Sequence, residues 1–97
     1  MNEFHKYNDE KLLEHLKDGT PSRDLAFDVL FCRYSARLNA YCIFKSDNPL
    51  DAEEIFEDTW LKFLDRVQNG KIVTNILPYL YTIARTLIID KYRKEKS

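Results

Sequence analysis

The sequence predicts an all-α fold, a compact four-helix domain. Three observations carry that expectation. The chain has 97 residues, which suits one domain over 1–97 and leaves no room for a second. It holds only 2 Gly and 3 Pro, too few for the many turns of an all-β fold. Four segments place apolar residues at spacings of three and four, the period of a helix buried on one side.

The first helix is expected from about Asp9 to Asp18. Asn8 is a good N-cap, Asp9 and Glu10 suit the positive end of the dipole, and Tyr7 and Leu12 stand at hydrophobic-staple positions. Leu12, Leu13 and Leu16 form the stripe, Gly19 is a natural stop, and Thr20-Pro21-Ser22 connects. The second helix is expected from Arg23 to Lys45, with Ala26, Phe27, Leu30, Phe31, Tyr34, Leu38, Tyr41 and Cys42 inward and Arg33, Arg37 and Asn39 outward. Asn48 before Pro49 is a strong start signal for the third, from Pro49 to Val67. Its stripe is Ile55, Phe56, Thr59, Trp60, Phe63, Leu64 and Val67. Residues 68–75 lack helical period, contain Gly70, and read as a loop long enough to suggest function. The fourth helix is expected from Ile76 to Glu95, capped by Asn75, with Pro78 tolerated in its first turn. Ile76, Leu80, Ile83, Ala84, Leu87 and Ile88 point inward.

Composition narrows the function. Hydrophobic residues are 44% and charged residues 32%, which fits a globular chain and opposes disorder. No stretch approaches the roughly 20 apolar residues of a membrane span, and the N-terminus lacks a signal peptide's apolar core. Cys32 and Cys42 cannot build a disulfide framework. They read as small core residues of a reduced, cytoplasmic protein. No phosphate loop, nucleophile elbow, Cys-x-x-Cys or Glu-x-x-His pair is present. His5 and His15 have no partner ligand at close spacing, and His15 reads as a surface residue. No enzyme activity, metal or cofactor is therefore expected.

The net charge of −1 conceals a division. Residues 1–67 carry 9 Lys/Arg against 14 Asp/Glu, a net of −5, while residues 68–97 carry 6 against 2, a net of +4. Two differently charged surfaces suggest two kinds of partner. The acidic run is Asp51, Glu53, Glu54, Glu57 and Asp58. The dipole favours the first three, whereas Glu57 and Asp58 lie past the first turn. Either a basic partner or plain solvation accounts for those two. At the other end, Arg85, Lys91, Arg93, Lys94 and Lys96 offer cations for phosphates, Tyr79 and Tyr81 offer rings, and Thr82 and Thr86 offer hydroxyls. With Asn69, Lys71, Thr74 and Asn75 of the loop, the mix suits unpaired bases better than a duplex groove.

Three stretches then acquire meaning together: Leu12-Leu13 through Gly19 followed by Ala26 through Tyr34 with Arg37-Leu38, Asp51 through Phe63, and Pro78 through Arg93. In this order and spacing the sequence resembles region 2 of the extracytoplasmic-function group of sigma-70 family transcription initiation factors. The resemblance implies that the third helix docks on the clamp helices of the largest subunit of core RNA polymerase, through Glu54, Glu57, Asp58 and Leu61. It implies that the loop and fourth helix hold the non-template strand of the −10 promoter element, through Asn69, Lys71, Asn75, Tyr79, Thr82, Arg85, Thr86 and Arg93. Strand opening would follow from capture of a flipped base, without ATP. An anti-sigma factor is a further candidate partner. Glu57, Tyr79 and Thr86 depart from the usual Gln, Trp and Asn. Family members usually continue through a linker, here expected to start at about residues 91–97, to a helix-turn-helix domain that this chain lacks. The competing reading is a helical protein-interaction domain or regulator that binds no DNA.

Overall fold

The computed structural model describes residues 2–19 and 21–95; Thr20 of the expected connection and Lys96 of the cationic end lie outside them. A 3-10 turn, Glu3–Lys6, precedes helices α1 (Asp9–Leu16), α2 (Ser22–Lys45), α3 (Pro49–Gln68) and α4 (Ile76–Glu95), with no strand among the described residues. The predicted all-α, four-helix class holds. Polar caps set two of the starts. Asn8 Oδ1 accepts from the Lys11 amide and Asn48 Oδ1 from the Asp51 amide, each at 2.9 Å, satisfying amides with no partner inside the helix.

One core draws on all four helices: Leu12 and Leu16, then Ala26, Val29, Leu30, Leu38 and Cys42, then Ala52, Ile55, Trp60, Phe63 and Val67, then Ile76, Leu80, Ile83, Ala84 and Ile88. Thr59 is buried among them, its hydroxyl donating to the Ile55 carbonyl at 2.7 Å. Ring contacts fix the directions. Phe27 and Phe31 meet Trp60, and Phe31 also meets Phe56, so α3 runs back along α2. Phe63 meets Tyr79 while Asp51 meets Lys91, so α4 is antiparallel to α3. Tyr41 packs on Tyr81 and the Tyr92 hydroxyl accepts from the Asp47 amide, so α4 runs parallel to α2.

Several expectations change. Helix α1 ends at Leu16, two residues earlier than expected, and α3 extends one residue into the expected loop. The 3-10 turn was not anticipated, because four residues carry no readable period. It returns Phe4 to α1, and His15 is enclosed rather than a surface residue. The His15 ring lies 4.7 Å from Phe4 and stacks on Tyr7 at 5.6 Å, with Nδ1 3.3 Å from Asp18. Arg33, expected outward, is half-buried; it donates to Asp9 and to the carbonyls of His5 and Tyr7. Cys32 is exposed and only Cys42 is core, since Cys32 sits about 200° around α2 from Leu30. Phe31 stands at the edge of the buried face and is 38% exposed. Val29, which no stripe had included, is fully buried.

Candidate nucleic-acid interface

The loop 69–75 is shaped at its first turn. Asn69 ends α3, and Gly70 adopts φ +97, a left-handed conformation that strains any residue with a Cβ. The Gly70 amide donates to Val67 at 3.1 Å and the Lys71 amide to Arg66 at 2.9 Å. This crossed pair is a Schellman closure, which satisfies the last carbonyls of the helix. The Asn69 side-chain amide donates back to Asp65, 2.7 Å from its carbonyl and 3.1 Å from its carboxylate. That amide therefore helps close the helix, leaving its own oxygen as the group available to a ligand.

Leaving this turn, Lys71 lies with Nζ 5.8 Å from the centroid of the Tyr79 ring, a contact worth about 0.5–1 kcal/mol when exposed. Tyr79 is half-buried, its ring 6.2 Å from Phe63 and its hydroxyl 3.5 Å from an Arg66 nitrogen. Loop, α3 and α4 thus meet at one ring bordered by two cations. Spacing did not flag Arg66, because its position in α3 gives no sign of Tyr79 across the hairpin.

From Tyr79 the outer face of α4 runs through Thr82, Thr86 and Arg93, spacings of three, four and seven that keep one side of a helix outward. Thr82, Arg85, Thr86 and Arg93 are all exposed. The two threonine hydroxyls donate to the carbonyls of Pro78 and Thr82, each at 3.0 Å, so they offer a ligand acceptor oxygens and methyls rather than a donor. Arg85 and Arg93 take part in none of the ion pairs among the described residues. On the side facing α2, Arg85 lines an open groove of about 280 Å³ with Tyr41, Lys45, Ile88 and Ile89. Asn75 and Lys71 are exposed in the loop, so all eight residues expected at DNA lie on the loop and the outer side of α4.

The four residues expected at polymerase form a ridge on α3. Glu54, Glu57 and Leu61 are exposed, Leu61 at 65%, and Asp58 is half-buried. On one side of the ridge an apolar groove of about 530 Å³ is lined by Phe27, Phe31, Phe56 and Trp60, with Glu53 and Glu57 at its rim. On the other side α3 meets α4, and there the charge division fails. Lys91, expected to face phosphates, lies 3.5 Å from Asp51 and 3.4 Å from Glu54. Burial pulls its pKa down, but the Glu54 hydrogen bond and the two carboxylate charges outweigh it and raise the pKa above 10.5. The acidic and cationic surfaces therefore touch along one seam. They stay separate at Glu57 and Leu61 on one side and at Arg85 and Arg93 on the other.

A family profile described as Sigma-70 region 2 matches residues 30–97, well over half of the chain. The chain belongs to the sigma-70 region 2 family. It is a sigma-factor domain of transcription initiation, a family of initiation factors rather than enzymes. Comparison with curated proteins and with solved structures returned no match. The matched span of this region 2 domain begins within α2 and holds α3, the loop and α4, hence all the residues expected at DNA or at polymerase, while Phe27 of the aromatic groove lies just before it. Helix α1 and the first turns of α2 lie outside the match and contribute Leu12, Leu16, Ala26 and Val29 to the same core. No helix among the described residues is long and apolar enough to cross a membrane.

Proposed function

We propose that this region 2 domain binds core RNA polymerase through the α3 ridge and holds the melted −10 non-template strand on the loop and outer α4 face. The observation that carries the DNA reading is the row from Lys71 and Tyr79 to Arg93, where ring, acceptor and cationic groups stand outward without ionic partners. Stacking on a sequence-tolerant ring together with cations on the backbone is the chemistry of single-strand binding. Asn69, Asn75, Thr82 and Thr86 supply acceptors to base edges, and Lys71, Arg85 and Arg93 supply charge to phosphates. Unstacked bases held this way would draw the duplex open without ATP.

For polymerase, Glu57 and Leu61 are the centre of the contact. A clamp helix with a basic face would meet Glu54, Glu57 and Asp58, while its apolar side chains would enter the neighbouring aromatic groove. Glu54 must then exchange Lys91 for the partner, so Glu57 contributes more to affinity. The binding factor would act in the cytoplasm as a member of the extracytoplasmic-function group, with an anti-sigma factor competing for the same ridge.

The test pairs two measurements. Anisotropy of a labelled −10 non-template oligonucleotide reads DNA binding, and a pull-down with core polymerase reads docking. Glu57→Lys should weaken the pull-down and spare the oligonucleotide; Tyr79→Ala should do the reverse. Oligonucleotide affinity unchanged by Tyr79→Ala would leave the competing reading, an interaction domain without DNA, in its place.

A further inference from the structure

The groove between α2 and α4 contains a cation that the charge arithmetic had assigned to the acidic part of the chain. Lys45, at the C-terminal end of α2, lines it together with Arg85, Tyr41, Ile88 and Ile89, and no acidic side chain is in its wall. Lys45 makes no ion pair among the described residues, and its Nζ sits 5.4 Å from the exposed Phe44 ring. Lys45 and Arg85 are both exposed, and Arg85 lines the same groove, likewise without an ion pair among the described residues. Two adjacent cations repel one another. That cost is relieved when an anion bridges them, whereas the nearby Lys91 is already neutralised by Asp51 and Glu54.

The groove is continuous with the outer α4 face, because Arg85 belongs to both. It lies about 9 Å along α4 from Tyr79, at 1.5 Å per residue. The Tyr41 ring there is already packed on Tyr81 at 4.8 Å, so this end offers charge rather than a free stacking surface.

Resting on the proposed DNA reading, we propose that Lys45 and Arg85 form a backbone-phosphate site that extends the promoter surface from α4 onto α2. The contact is independent of sequence. It positions the strand whose bases the Tyr79 end holds.

The experiment measures affinity against salt for the full chain with two probes, the −10 single strand and the same strand joined to a short flanking duplex. Each phosphate contact adds about 0.7 to the salt slope on a single strand and about 0.9 on duplex. Lys45→Ala should lower affinity about three- to tenfold and reduce the slope by about one contact. Lys45→Arg should retain both, and Lys91→Met should leave the slope unchanged. A loss on both probes places the phosphate on the single strand, and a loss on the joined probe alone places it on the duplex; either supports the site. A slope unchanged by Lys45→Ala on both probes overturns it. If Tyr79→Ala still weakens binding in that case, the DNA reading survives and only the Lys45 site falls. If the unaltered chain binds neither probe, both fall, and the groove is left to an acidic protein segment.

Discussion

The polar groups of the N-terminal interlock and those of the outer α4 face are used in opposite ways. Around α1 and the start of α2, polar side chains spend themselves on one another. Arg33 holds Asp9 and two carbonyls, the Tyr34 hydroxyl donates to Asp9, and Asn2 holds the Leu25 carbonyl at 2.8 Å. On α4, Arg85 and Arg93 have no such partner, and Lys71 has only a ring. Residue type does not separate the two regions, since both are rich in Arg, Tyr and Asn. Partner use does. A cation already hydrogen-bonded inside the fold must lose those bonds to bind a ligand, whereas an outward, unpaired one gives up only water.

Among the polar groups compared, the largest expected effect breaks the contrast from the structural side. Arg33→Ala should cost about 2–3 kcal/mol of stability, because Asp9 and two carbonyls lose a charged donor. Urea unfolding reads the loss, and oligonucleotide affinity of the protein that stays folded should not move. Tyr79→Ala works from the other side: about 1–3 kcal/mol of −10 strand affinity lost by anisotropy, if the ring stacks on a base. Its stability loss should be smaller than that of a core truncation such as Phe63→Ala, which removes about 3–5 kcal/mol.

Gly70→Ala sharpens the comparison at the join. Apart from its chain neighbours, no atom lies within 4 Å of the added Cβ, so its cost is the left-handed backbone, about 1–2 kcal/mol. Thermal melting should show that cost, and strand affinity should fall as Lys71 leaves the Tyr79 ring. The smallest effect is alkaline. Burial raises the Tyr34 pKa above 10.0, helped by its hydrogen bond to Asp9 and that carboxylate's charge. The unfolded chain then releases the Tyr34 proton first, so stability should fall as pH rises past 10.0. Lys91 acts in the same direction above 10.5, because its native pKa is also raised. Tyr34→Phe should flatten the first part of that decline in urea titrations, and Lys91→Met the second.

Much of the fold was legible because it rests on local periodicity. Leu12, Leu16, Leu30, Leu38, Ile55, Phe63, Leu80 and Ile83 all lie inside where the three-and-four pattern put them. Cys32 misled because a small apolar residue fits either face, and His15 because the turn that encloses it comes from outside its helix. The candidate surfaces were legible in part. The structure leaves seven of the eight expected loop and α4 residues exposed and Tyr79 half-buried, but neither Arg66 beside Tyr79 nor Lys45 in the groove with Arg85 could be found from its own segment.

The sequence alone determined four helices, their caps at Asn8 and Asn48, and most of the stripe each one buries. These depend on side chains within a turn or two of each other along the chain. Only tertiary structure decided which charges are spent. Lys91 meets Asp51 across 40 residues of chain and is neutralised, while Arg85, six residues before it, shares a groove with Lys45 and is not. Coulomb energy depends on distance in space, and a linear chain does not carry that distance until its helices have packed.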